Sequence, residues 1–139
     1  MTPTLFFLLL SLTSITDGDS IRVDNQRVRL YGIDAPEANQ PGGIEATLFI
    51  ATLLTSQVQL EVMDTDRYGR TVAIVYTTDG ANVNLQMVQA GHAWFYPQYC
   101  KAQPVCSQIK AAETEARQAK KGLWAGENPT PPWSWRRKK

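Results

Sequence analysis

Three carboxylates and two arginines stand at turns and strand ends of this sequence. Asp19 closes Asp17-Gly18-Asp19 after an apolar stretch, and Asp34 and Glu37 lie just past another strand-like run. Arg29 precedes Asp34 by five residues, and Arg70 ends Asp66-Arg67-Tyr68-Gly69-Arg70. Hard oxygen ligands of this kind suit calcium or magnesium. Calcium takes roughly six to eight oxygens, so two side chains need help from a backbone carbonyl and waters, which an irregular loop at Ala35-Pro36 offers. A guanidinium presents a planar fork of donors that matches two phosphate oxygens and stabilises charge building up at phosphorus. Taken singly, Asp17-Gly18-Asp19 reads as a hairpin turn and each arginine as a surface residue. Taken together, a dication site, a spare carboxylate and two arginines are the parts needed to hydrolyse a phosphodiester.

Short strands must position these groups. After the unbroken apolar run Leu5–Leu10, a first buried strand is expected over residues 10–16, leading into Asp17-Gly18-Asp19, and Ile21, Val23, Val28 and Leu30 alternate with period two around a turn at Asp24-Asn25-Gln26. The third strand is expected to run into Ile33-Asp34-Ala35-Pro36-Glu37, where Pro36 ends regular pairing, followed by a loop at Asn39-Gln40-Pro41-Gly42-Gly43. Helical spacing of Ile44, Leu48, Phe49, Ala51, Leu53 and Leu54 predicts a helix over 44–56 with one side buried. Val58, Leu60 and Val62, then Val72, Ile74 and Tyr76, predict two further strands either side of the Asp66–Arg70 turn. Asn82 is suited to cap a short helix carrying Val83, Met87 and Val88, ended by Gly91. Ser107 is placed to cap a last helix to 121, closed by Gly122, with Ile109, Ala112, Ala116 and Ala119 inward. The fold class that follows is α+β, a five-stranded OB-like β-barrel with three α-helices.

The chain's 139 residues suffice for one domain with a real core, and 43% hydrophobic with 19% charged residues is ordinary for a folded protein. A formal net charge of +1 at pH 7 excludes binding through a massive basic surface, so any polyanion must be gripped locally. The expected organisation is an apolar N-terminal segment over 1–9, either a signal remnant or the start of the first strand, a domain over 10–125, and a Pro/Trp-rich basic tail over 126–139. From charge alone that tail reads as solvated. Cys100 and Cys106 are placed to form a disulfide in an oxidising compartment or to stay as thiols in the cytosol, with export favoured. No zinc-ligand spacing accompanies them. The single histidine, His92, follows a helix end and is assigned a structural or exposed role.

The blocks Thr16-Asp17-Gly18-Asp19-Ser20, Val28-Arg29-Leu30-Tyr31-Gly32-Ile33-Asp34-Ala35-Pro36-Glu37, Asp66–Arg70, Val83-Asn84-Leu85 through Ala90-Gly91, and Gly122-Leu123-Trp124 resemble, in order, those of the staphylococcal nuclease (thermonuclease) family. The resemblance covers residues 10–124. It implies Asp19 and Asp34 as side-chain calcium ligands, with the carbonyl of Ala35, where the family often has threonine, as a third. It implies Glu37 as the residue that orients or deprotonates the attacking water, and Arg29 and Arg70 as the phosphate-binding arginines. Tyr68, Trp94 and Tyr96 match positions where the family places aromatic residues around the nucleotide. Trp94 stands where the best-known member has tyrosine, and the loop after Glu37 is shorter than in that member.

The resemblance implies a calcium-dependent enzyme that cuts DNA and RNA, preferably single-stranded, with little sequence preference and 3′-phosphorylated products. A monomer is expected, with no stable protein partner. The alternative is a non-catalytic OB-like module that binds nucleic acid or a protein. Such modules usually lack the acid and arginine set that Glu37, Arg29 and Arg70 retain here.

Overall fold

The computed structural model describes residues 9–138; most of the apolar N-terminal segment lies outside them. Strands β1 (Leu9–Asp17), β2 (Ser20–Val23), β3 (Gln26–Leu30), β5 (Gln57–Thr65) and β6 (Thr71–Tyr76) close a barrel in the order β1-β2-β3-β6-β5. Consecutive strands pair antiparallel, and the closing contact between β3 and β6 is parallel. The two-residue turn between β2 and β3 holds Asp24 and Asn25 at φ 49 and 63, a geometry their short polar side chains tolerate. Alternation then puts Ile21, Val23, Val28 and Leu30 inside, each nearly inaccessible to solvent. Each such buried side chain is worth roughly 1.5–3 kcal/mol.

The third strand does not run on into Ile33-Asp34 as expected. Gly32, at φ 77, turns the chain out of the barrel, and Ile33–Asp34 becomes a separate strand, β4, pairing with β7 (Trp94–Phe95). An L side chain is strained at that φ, and a Cβ there would also press on the sulfur of Cys100.

Helix α1 (Gly43–Leu53) ends three residues before the expected boundary, where Leu54 is extended. Its inward face is Gly43, Ala46 and Ile50, while Ile44 and Leu48 are exposed. Small residues set this rotation: a Cβ on Gly18 would lie 2.8 Å from that of Ala46 and 2.9 Å from that of Ala35, and one on Gly43 would collide with the Glu37 carbonyl oxygen. The helix thus packs directly against the turn holding Asp19 and the loop holding Glu37.

Helix α2 (Val83–Gln89) is capped as expected, with Asn82 Oδ1 accepting from the Leu85 N–H at 3.0 Å, and Gly91 follows it at φ 79. Helix α3 (Val105–Gln118) begins two residues before Ser107, whose hydroxyl instead donates to the Gln103 side chain. Its buried face is Cys106, Ile109, Ala112 and Ala116; Ala119 is exposed, and Lys120 at φ 53 closes the helix ahead of Gly122. A disulfide joins Cys100 to Cys106. A fourth short helix, α4 (Pro132–Arg137), lies in the segment read from charge as a solvated tail.

Candidate active site

Strand register brings the chemistry together. Ser20 pairs with Arg29 across β2 and β3, which sets Arg29 beside the Asp17-Gly18-Asp19 turn. The Asp17 carboxylate accepts from the Asp19 N–H at 3.1 Å, fixing that turn. Asp19 in turn accepts from the Ala35 N–H at 2.7 Å and from Ser20 Oγ at 3.1 Å, so it ties the β1–β2 turn to the chain after β4. Arg29 bridges the acids: Nη1 lies 3.1 Å from Asp19 Oδ2 and Nη2 3.3 Å from Asp34 Oδ1. Asp19 is 6% exposed and Asp34 fully buried.

Burial alone would raise Asp19, but the Arg29 guanidinium, the Asp17 side chain and the Ala35 N–H outweigh it and hold its carboxyl below the usual range. Burial, together with the charge of Asp19, pushes Asp17 up to about 7. Burial likewise pushes Asp34 up to about 6, against the pull of Arg136 and Arg29.

Glu37 sits on the loop after β4, half-exposed. Its N–H donates to Gln40 Oε1 at 3.1 Å, and its carbonyl accepts from the Gln40 N–H at 2.9 Å. Its carboxylate meets Arg136, whose Nη1 is 2.7 Å from Glu37 Oε1 and 3.1 Å from Asp34 Oδ1, while Nη2 is 2.7 Å from Asp34 Oδ2. Arg136 is therefore a member of the cluster.

The β5–β6 turn carries the second expected arginine. Asp66 Oδ1 accepts from the Tyr68 and Arg70 N–H groups at 2.9 and 3.0 Å, and Oδ2 from Arg70 Nε at 2.7 Å. Among the described residues, Arg70 pairs with Asp66 and not with Asp19, Asp34 or Glu37. The parallel register nevertheless sets Arg70 next to the cluster's strand, since Thr71 pairs with Val28. Tyr68 is exposed at the hairpin tip, its ring centroid 5.0 Å from the Arg67 guanidinium and 5.5 Å from that of Arg70.

Trp94 is paired with Asp34 in the β4–β7 ladder and is 6% exposed, packed edge-to-face on Trp124 and Trp133. Tyr96 donates its backbone N–H to the Gly32 carbonyl, and its ring stacks on Trp133 at 5.2 Å and 9°. Of the expected residues, the structure thus gathers Asp19, Arg29, Asp34, Ala35 and Glu37 at one end of the barrel, with Trp94 and Tyr96 beside them and Arg70 with Tyr68 on the adjoining hairpin. Sequence reasoning left out Arg136, Trp133 and Gln40. The available signal was spacing: Trp133 and Arg136 are three apart and share a helix face.

Two buried carboxylates with a guanidinium between them, at the end of a closed five-stranded barrel, define an OB-like domain with a charged site at the barrel end. The profile of the family described as staphylococcal nuclease homologue matches residues 27–126. The chain is 43% identical over 130 residues to an uncharacterized endonuclease of Escherichia coli O157:H7, covering 90% of this chain and 82% of the relative. It is 43% identical over 136 residues to a micrococcal nuclease of Shigella flexneri, covering 88% and 77%. A probable staphylococcal-like nuclease of Oryza sativa subsp. japonica is 38% identical over 123 residues, covering 88% of this chain and 36% of that protein. The chain belongs to the staphylococcal nuclease family, a family of hydrolases.

Proposed function

We propose that this protein is a calcium-dependent nuclease that hydrolyses phosphodiester bonds of DNA and RNA, preferably single-stranded, with little sequence preference. The observation that carries the reading is Arg29 held between buried Asp19 and Asp34, with Glu37 one guanidinium away. Among the described residues no group of three or more His, Cys, Asp and Glu side chains converges as a metal cage. The donor set nevertheless fits a hard cation: one carboxylate from the β1–β2 turn and one from the end of β4, where backbone carbonyl and water oxygens would complete the shell. Asp19, Asp34 and the Ala35 carbonyl would hold it. Bound there, the cation would neutralise phosphate charge and acidify water.

The chain's own groups supply the rest. Glu37 accepts a proton from the attacking water at a carboxylate oxygen. Arg29 and Arg70 donate to the non-bridging phosphate oxygens as negative charge grows on them. The water oxygen bonds to phosphorus as the bond to the 5′ oxygen breaks and that oxygen takes a proton, leaving a 3′-phosphate. Tyr68 and Tyr96 offer ring faces for bases, whereas Trp94, expected to do the same, is buried against Trp124 and Trp133 and must act through that packing.

The test is digestion of denatured DNA and of RNA with calcium, with magnesium and with a chelator, beside Glu37→Gln. Calcium-dependent cleavage is expected, lowered by roughly two orders of magnitude or more in the variant, whose folding should be unchanged. End-labelled products should carry 3′-phosphates, and 5′-phosphates would overturn the proposed polarity. A folded protein that binds oligonucleotide but never cleaves it would establish the non-catalytic module instead.

A further inference from the structure

We propose that the segment from Thr130 to Arg136 is a reversible strap that occupies the candidate site and must leave before a divalent cation and a nucleic acid can bind. The proposal rests on the functional reading above and concerns the regulation of that site. Arg136 takes both oxygens of Asp34, at 3.1 and 2.7 Å, and one oxygen of Glu37, at 2.7 Å. These are the proposed cation ligand and the proposed base. The guanidinium stands where positive charge is wanted, so it satisfies the acids without being able to do their chemistry.

A dication on Asp34 and a guanidinium on the same carboxylate repel each other, and the oxygens that one uses are lost to the other. The two occupants therefore exclude one another. Trp133 does the same to the base-binding side: its ring lies flat on Tyr96, 9° from parallel, so that face of Tyr96 is taken. Cation and substrate positions are thus covered by residues three apart on one short helix.

Beyond the Arg136 ion pairs and the packing of Trp133 on Tyr96 and Trp94, the strap is tied to the site's own loop by two side-chain hydrogen bonds. Gln40 Nε2 donates to the Thr130 carbonyl at 2.6 Å, and Trp135 Nε1 to Asn39 Oδ1 at 3.3 Å. Gln40 also bonds the Glu37 backbone in both directions, so the loop that aims the base is the loop that holds the strap. The Arg136 side chain is 39% exposed, in contrast to the 14% of Arg29, and its partner Glu37 is 29% exposed, so water reaches the Arg136–Glu37 pair and can replace it. Linkage then makes the effect reciprocal: whatever cation affinity the strap costs, the cation must return by loosening the strap.

The experiment uses the purified full chain, Arg136→Gln and Trp133→Ala. Calcium affinity is measured by calorimetry, and amide exchange over 130–137 is followed with and without calcium. If the strap is closed about nine-tenths of the time, Arg136→Gln should tighten calcium about tenfold. Trp133→Ala should move affinity the same way by less, and calcium should speed exchange in the strap of the unaltered protein. Equal calcium affinity in all three proteins with calcium-independent exchange would overturn the strap while leaving a calcium nuclease standing. Unchanged affinity with slower cleavage in Arg136→Gln would also overturn it, because Arg136 would then be helping the substrate. No calcium binding by any of the three would remove the functional reading itself, and the strap with it.

Discussion

Arg29 and Arg70 are assigned the same task but are held in opposite ways. Arg29 rises from inside a strand, reaches two acids whose side chains are 9% and 0% exposed, and joins the β1–β2 turn to β4. Arg70 is held by Asp66, four residues away within one turn, and both side chains are about a quarter exposed, 27% and 21%. The first arginine is part of what makes the barrel end hold its shape. The second is held mainly within its own turn, where Asp66 pairs with it, although Arg27 of β3 also donates to the Tyr68 carbonyl at the hairpin tip. The buried arginine is thus fixed from two sides, while the one on the hairpin, beside the exposed Tyr68, is fixed mainly from one.

The largest effect should come from Arg29→Ala. Removing it leaves Asp19 with only dipolar partners and Asp34 with Arg136 alone, and breaking a buried pair from one side typically costs about 3–5 kcal/mol. Cleavage should fall by roughly two to three orders of magnitude, and chemical denaturation should report the lost stability. Full stability in Arg29→Ala would erase the distinction between the two arginines.

Arg70→Ala should cut cleavage nearly as far yet leave the fold almost untouched. An exposed pair within one turn contributes about 0.2–1 kcal/mol. The readouts are the cleavage rate and the denaturation midpoint measured together, and a midpoint shift as large as that of Arg29→Ala would mean that the hairpin is not independent. Arg70→Lys should recover little activity, since one ammonium cannot reproduce the planar fork.

Which parts of this arrangement the sequence reveals follows from how local each one is. Asn82, Gly91, the Asp24-Asn25 turn and the alternating barrel strands are readable because the residue type and the backbone demand are the same fact. The acid and arginine blocks are readable as a set because each lies at a strand end or turn. The inward face of α1 was misread for the converse reason: Ile44 and Leu48 look like core by composition, but close approach at Gly18, Ala35 and Gly43 decides the helix rotation. The break at Gly32 was missed because β4 acquires its partner, β7, from some sixty residues further on. Arg136 is hard to read for the same reason: its three-residue spacing from Trp133 marks a shared helix face, but the partners that face meets lie 99 and 102 residues away.

The smallest expected effect separates the two regions by acid response. Burial opposes ionisation of Asp66, but the backbone and side-chain hydrogen bonds from Arg70 and the Tyr68 N–H prevail, so its carboxyl titrates below the 3.8 of a free aspartate. With a depressed folded value, the unfolded chain binds the proton first; the stability that Asp66 contributes is intact above 3.8 and is lost as pH falls through the folded value. Asp34 runs the other way. Its value is raised to about 6, so the folded state binds the proton first, and its linkage makes stability rise as pH falls from about 6 toward 3.8. Between those limits acid should therefore ease the barrel end while the hairpin remains unaffected, and only below 3.8 should the hairpin begin to give way. Asp66→Asn should flatten the stability profile below 3.8 and leave it unchanged between 3.8 and 6, as measured by denaturation across pH. A change confined to the higher window would show that the hairpin is coupled to the buried acids after all, and that its arginine is held by the barrel rather than by its own turn.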